Sequence, residues 1–412
     1  MYKILLFLLG FFVCHNIVWV FKGSSASYIY VETFIAAILL LKNRRHIKRE
    51  IASTNRFLKL YVAYALILFP FSLLYFMDTP KYMSPISAMV FLSFPIILFL
   101  CVKACRAHLP VIMKGFFVGF ICNLAYSIIC YFLQQRGIPW RILDWFNFES
   151  NVFFYRDYYR ASGFFMECSY YMCFLATTIS LMLYNIHNHY LKISLVLLIV
   201  LFAGISFSGN IINIFLCLLL YFTLVDKQTW SFSMFIKLFV PIILICLIFS
   251  SKIGAMLDEM DFFNLLDQSI NDIDISDESN VSNQTRLESF MPTIGLIAEN
   301  PFGYGFGCSS PLLEVKLHMR GWGVLSFLFR TLIEVGWVGF FIYIMIFVSL
   351  VKRLIRMDNQ RKCIAISLIC MFVAQSASGI GWMSFCVFVL ALADIAVKNP
   401  ECDVLAISKS CH

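Results

Sequence analysis

Apolar residues run through this chain in long blocks with almost no polar residue inside, rather than on one face in three or four. A helix that is apolar all round is buried or lies in lipid. About 20 such residues cover the ~30 Å hydrocarbon core of a bilayer at 1.5 Å per residue. Twelve runs approach that length: 4–21, 26–41, 57–76, 84–102, 110–133, 167–185, 193–207, 210–225, 234–250, 322–350, 363–377 and 380–397. The seventh and eighth are short and meet at Ser206-Phe207-Ser208-Gly209-Asn210. No small-residue cleavage site follows the first run, so it reads as a retained helix and not a signal peptide.

Composition agrees. The 412 residues are 61% hydrophobic and 14% charged, with mean hydropathy +0.82, against about 45–50% and about 25% for a soluble domain. A soluble enzyme, a disordered chain, a secreted disulfide scaffold and a DNA-binding protein are excluded. The expected fold is an all-α polytopic membrane protein with about twelve transmembrane helices. The net charge of +8 does not call for nucleic acid, because the basic residues fall in short loops and report orientation. Lys42, Arg44, Arg45, Lys48, Arg49 and Arg56 crowd the loop 42–56, and Lys352, Arg353, Arg356, Arg361 and Lys362 the loop 351–362. Both are expected to be cytoplasmic. Eight spans between them and cytoplasmic termini satisfy this in a bacterial inner membrane. Most of the 15 cysteines lie inside apolar runs and act as small apolar residues. Cys168 and Cys308 are the two expected at the outer surface, where a bridge between them is the less favoured alternative to two free thiols.

The organisation that follows is helices 1–5 over 1–133, a first periplasmic loop over 134–166, helices 6–9 over 167–250, a large periplasmic loop over 251–321, helices 10–12 over 322–397 and a cytoplasmic tail over 398–412. The large loop holds eleven acids against four bases and is expected to be partly helical and functional.

Two segments carry candidate chemistry. The first reads Arg156-Asp157-Tyr158-Tyr159-Arg160-Ala161-Ser162-Gly163-Phe164-Phe165-Met166-Glu167-Cys168-Ser169. Its arginines offer a permanent charge and a planar fork suited to phosphate; they are equally the residues of a basic interfacial anchor. In the second, Arg286 precedes a helix-like spacing at Met291, Ile294, Leu296 and Ile297, which Pro301 stops. Gly303, Gly305 and Gly307 follow at every second position and allow a sharp turn or close approach to a ligand.

The order R-x-S-G-x-F-x-E, then a lone arginine before an amphipathic helix ending in N-P-x-G-x-G-x-G, resembles the O-antigen polymerase (Wzy) and O-antigen ligase superfamily. Cys168 stands where members usually have proline, and Phe290 where they often have tryptophan. Ligase-type members carry a His-Asn pair where this chain has Leu325 and Ser326, so the polymerase is the nearer likeness. The resemblance implies a metal-independent, cofactor-free glycosyltransferase. Its partners would be an undecaprenyl-diphosphate-linked oligosaccharide and membrane lipid, with room for a chain-length-regulating co-polymerase. It assigns Arg160 and Arg286 to the diphosphate and sugar. Arg156, Gly163, Gly303, Gly305, Gly307, His318 and Arg320 are the further candidates around the substrate, and His318 reads either as a stand-in for the ligase-type histidine or as an interfacial residue. Glu167 either accepts the acceptor hydroxyl's proton or pairs with an arginine. A ligase that moves polymer to lipid A core, and a polysaccharide-lipid flippase, are the alternatives.

Other polar residues weigh less. Asp272-Ile273-Asp274 has a metal-binding DxD form but sits in a run of acids that reads as a solvated loop. Asn280 and Asn283 open N-x-S/T sequons. Glu32, Lys114, Arg330, Glu334 and Asp394 lie inside apolar runs, where charges are paired or functional; Arg330 and Glu334, four apart, are expected to pair. Asn210 and Asn213 are candidates for contacts between helices.

Overall fold

The computed structural model describes residues 1–15, 18–20, 28–79, 81–135, 154–155, 158–159, 163–165, 168–205, 211–226, 292–317, 326–377, 382–401 and 403–405. Arg156, Arg160, Glu167, Arg286, His318 and Arg320 lie outside them, as do Asp272, Asp274, Asn210, Asn280, Asn283 and the expected span 234–250. Apart from two short strand pairs, the described chain is helical.

The helices are α1 (Tyr2–Val13), α2 (Val31–Lys42), α3 (Arg44–Ser53), α4 (Arg56–Phe76), α5 (Ser84–Ala104), α6 (Leu109–Gln135), α7 (Cys168–Asn185), α8 (His189–Ile205), α9 (Ile211–Leu224), α10 (292–299), α11 (Ser309–Leu317), α12 (Phe327–Leu354), α13 (Asn359–Ala377) and α14 (Ser384–Lys398). Four stretches are long and apolar enough to cross a membrane: Arg56–Phe76, Ser84–Ala104, Arg106–Leu133 and Phe327–Leu354. Leu60, Leu66, Ile67, Phe71 and Leu74 are exposed along α4. Water would penalise such a face, whereas hydrocarbon does not. The chain is thus a helical membrane protein. Among the described residues, α1, α8 and α9 are shorter apolar helices.

The first run departs from expectation. Its helix stops at Val13, and Val18–Val20 (β1) pairs antiparallel with Tyr28–Tyr30 (β2). The Val-Trp-Val and Tyr-Ile-Tyr sequences are β-branched and aromatic, which favours a strand. A second pair joins Phe154–Tyr155 (β3) to Tyr158–Tyr159 (β4).

Close packing depends on small residues. Gly10 of α1 lies against the backbone of Ile112 and Phe116 in α6, Gly115 and Gly119 of α6 lie against Phe7 and Phe11 of α1, and a Cβ at Gly115 would stand 1.9 Å from the Phe7 carbonyl oxygen. Backbone contact of this kind is how helices associate where water gives no hydrophobic drive. Polar pairs add to it: Ser180 of α7 bonds Ser367 of α13 at 2.8 Å, and Asn213 of α9 donates to the Cys370 carbonyl at 2.8 Å.

Charge sorts the two ends of the bundle. At one end Lys103 closing α5 meets Asp394 of α14 at 2.7 Å, Arg106 meets Glu50 at 2.9 Å, and Lys192 meets Asp226 at 2.9 Å. Asn55 caps α4 there, accepting from Phe57 N at 2.9 Å, and reaches Ser349 of α12 at 3.1 Å. Arg361, from the basic loop 351–362, is buried and donates to the Ala396 and Asn399 carbonyls closing α14. These ties collect the residues expected to face the cytoplasm. The other end carries α10, α11, the 77–83 turn and the first turn of α12, joined in part by Lys81 and Glu314 at 2.8 Å.

Candidate functional site

The second glycine segment is built into a break in α12. Helix α10 ends at Asn300, whose side chain accepts from Phe302 N at 3.3 Å and donates to the Gly303 carbonyl at 2.9 Å. That side chain turns the chain at Pro301, which cannot continue a helix. Across the loop, α12 is interrupted at Gly336, with φ 60° and ψ −170°. An interrupted helix leaves carbonyls and amides that need new partners. The loop supplies them: Tyr304 N donates to the Ile333 carbonyl at 2.9 Å, Gly305 N to the Glu334 carbonyl at 2.7 Å, and Trp337 N to the Pro301 carbonyl at 2.9 Å.

Glycine is required on both sides of this seam. Gly303, Gly305 and Gly307 have φ of 92°, 111° and 72°, a left-handed region that other residues enter at a cost. A Cβ at Gly336 would fall 2.2 Å from the Pro301 oxygen, and one at Gly305 would fall 1.5 Å from Ser72 Oγ. The close approach at these glycines is to the α12 backbone, Ser72 of α4 and Ala88 of α5. Tyr64 of α4 donates to the Phe302 carbonyl at 3.0 Å.

The mouth of the loop is braced by Glu299, Tyr304 and Lys316. Lys316 donates to the Glu299 carboxylate and, at 3.3 Å, to the Tyr304 hydroxyl. The Lys316 ammonium, bonded and opposite in charge, holds the Glu299 carboxyl below its ordinary range. Burial draws Lys316 downward, but its bonds to Glu299 and Tyr304 outweigh this and keep its ammonium above the ordinary lysine range.

Below the loop sits a charged group. Arg330 Nε donates to Glu334 Oε1 at 2.7 Å, as their spacing suggested, and Ser309 Oγ donates to the same oxygen at 2.8 Å. Glu334 is buried (side chain 3% exposed), whereas 37% of the Arg330 side chain is open. The Tyr61 and Tyr170 hydroxyl groups lie within electrostatic reach of the guanidinium. Tyr170 belongs to the first turn of α7, directly after the first motif.

In that first motif, Gly163 and Phe165 are the anchors. Gly163 has φ 55°, and a Cβ there would meet Asn123 Oδ1 at 2.1 Å. Asn123 of α6 accepts from Phe164 N at 3.2 Å and donates to the Cys14 carbonyl at 2.5 Å. Phe164 stacks on Tyr126 with centroids 3.9 Å apart. Phe165 is buried against Phe174 and Phe385. The structure thus joins the Gly303–Gly307 loop to Arg330 and Glu334, and seats Gly163 on α6 beside α7.

Sequence reading included Asn300 only within the N-P motif, and it missed Ser309, Asn123 and the break at Gly336. A signal existed for Gly336, a glycine inside a long apolar run two residues after a carboxylate. None existed for Asn123, whose partners are distant in sequence. Asp394 and Glu32, left without partners by the sequence, take Lys103 and the Ser384 hydroxyl respectively. Cys308 is a free, buried thiol, so the bridge to Cys168 is not formed. No protein-family model matches the chain, and no curated protein sequence matches it.

Proposed function

We propose that the chain is a multi-pass glycosyltransferase of about twelve spans, acting on the periplasmic face of a bacterial inner membrane as an O-antigen polymerase. It transfers a growing glycan from undecaprenyl diphosphate to a lipid-linked repeat unit. The acceptor hydroxyl oxygen bonds to the donor's anomeric carbon. The bond from that carbon to the diphosphate oxygen breaks, and its electron pair leaves with the diphosphate. The hydroxyl proton goes to a base, for which Glu167 is the nearest carboxylate in the motif. Arg160 and Arg286 stabilise the charge that grows on the leaving group, without a metal.

One observation supports this reading above the rest. The glycine segment is fastened to Glu334, which in turn holds Arg330, at the end of the bundle opposite the cationic loops. Ser309 and Gly305, in and just after the glycine loop, bind Glu334, while Tyr170, following the first motif, is in reach of Arg330. Donors at the end of the bundle remote from the basic loops suit a lipid-linked anionic donor on the outer face.

The test is chain extension in membranes supplied with lipid-linked repeat units. Arg160→Ala and Arg286→Ala should each slow extension by about 10²–10³-fold. Unchanged glycan length in both variants overturns the reading and favours a flippase. In a deletion strain, core bearing a single repeat unit supports a polymerase. Bare core with accumulated lipid-linked polymer means a ligase, the second reading, which Leu325 and Ser326 in place of His-Asn disfavour.

A further inference from the structure

We infer that Arg330 is a third diphosphate-binding guanidinium, oriented by Glu334 and Ser309; this rests on the function proposed above. The neighbouring charges divide its nitrogens unequally. Nε is bound to Glu334 Oε1 at 2.7 Å, and among the described residues no hydrogen bond is made by Nη1 or Nη2. A planar guanidinium held by one edge presents its other edge in a fixed direction, and the two terminal nitrogens match two oxygens of a phosphate.

Burial points the same way. The carboxylate is sealed at 3% exposure while the arginine side chain keeps 37%. Glu334 is itself immobilised. Ser309 donates to its side chain, Gly305 N donates to its main-chain oxygen, and the break at Gly336 lies two residues on. The second donor matches the buried carboxylate, as burial requires, and the terminal nitrogens of the arginine are the part of the pair left unmatched among the described residues. The position along α12 also fits, because Arg330 lies 22 residues before Lys352 of the basic loop, roughly 33 Å of helix, about one hydrocarbon thickness. A long basic side chain in the first turn of such a helix reaches the membrane surface, where a lipid diphosphate resides. Glu334 is accordingly a positioning residue, and Arg330 the group that touches the ligand.

Removing Arg330 alone would orphan a buried carboxylate and confuse binding with folding. The decisive variant is the double change R330Q/E334Q, which removes both charges together. The full-length protein is placed in lipid nanodiscs and titrated with undecaprenyl diphosphate, with undecaprenol as the uncharged probe. The double variant should melt near the wild type, bind undecaprenyl diphosphate about 10- to 100-fold more weakly and bind undecaprenol unchanged. R330K, which keeps the charge without the fork, should fall between. Wild-type affinity in R330Q/E334Q overturns the inference and leaves Arg330 a structural tie, with the proposed function intact. A wild-type protein that does not prefer the diphosphate to undecaprenol overturns the proposed function, and the inference falls with it.

Discussion

Two buried ion pairs sit at opposite ends of this bundle, and they are built differently. Lys103 and Asp394 are both closed off, at 2% and 1% exposure, and both are saturated. Lys103 also donates to the Glu50 carbonyl, Ser53 and Thr54, while Asp394 accepts from Asn55 N and Lys398 as well. Arg330 and Glu334 are saturated on the acid only, and the base is left partly open. Burying charge is unfavourable unless every lone pair and proton is matched. The first pair meets that condition internally and joins α3, α5 and α14. The second meets it on the acid only and leaves the terminal nitrogens of Arg330 unmatched among the described residues. A complete network is a tie, and the incomplete one beside the glycine loop is where the inferred diphosphate contact lies.

The largest effect should come from breaking the closed pair. Lys103→Met removes the buried partner of Asp394, leaving it Lys398 and Asn55 N, and should cost about 3 kcal/mol, read as a fall in melting temperature in detergent; K103M/D394L should recover most of it. If Lys103→Met melts like the wild type, the pair is not the tie described. Next, Gly336→Ala meets both a positive φ and the Pro301 oxygen, for about 2–4 kcal/mol. It should abolish chain extension while the unfolding of the basic end, probed at Lys103, changes little. Retained chain extension would show that the loop need not enter the break. Ser309→Ala removes one donor from Glu334, at about 1–2 kcal/mol. It should weaken donor binding more than it lowers the melting temperature, and the reverse order would make Ser309 merely structural.

The smallest effect concerns pH at the mouth of the loop. The Glu299 carboxyl is held low in the folded protein, so its contribution is complete above the ordinary carboxylate pKa, near 4, and disappears as the pH falls through the lower folded value. Lys316 is held high, so its contribution lasts up to the ordinary lysine range and disappears as the pH rises through the raised folded value. Hydrogen exchange at the Tyr304 and Gly305 amides, corrected for intrinsic rates, should show protection falling at the acid and alkaline extremes and flat between them. Glu299→Gln should remove the acid limb, and a limb that persists would place the titration elsewhere.

Much of the helical layout was legible. The runs 57–76, 84–102 and 110–133 became α4, α5 and α6 with shifts of one or two residues at their ends, because apolar runs end where a charged or turn-forming residue meets water. The stop at Pro301 and the pairing of Arg330 with Glu334 were legible for the same reason: both depend on neighbours within four residues. The break at Gly336 was not. Its cause is a loop more than thirty residues upstream, whose amides take over the helix carbonyls, and local pattern does not contain that loop. The short first helix was missed because a Val-Trp-Val sequence satisfies a hydropathy run and a strand equally.

Sequence alone determined that this chain is helical and lies in a membrane, since no soluble fold can hide so much apolar surface. It also marked the segments carrying arginine, glutamate and glycine, because chemistry requires those residue types. Tertiary structure alone decided which carbonyls of α12 accept from the loop, which ion pair is closed and which is open, and that Asn123 holds Gly163. These depend on distances between groups far apart in the chain, and hydrogen bonds, close backbone approach and burial of charge are set by such distances rather than by order along the sequence.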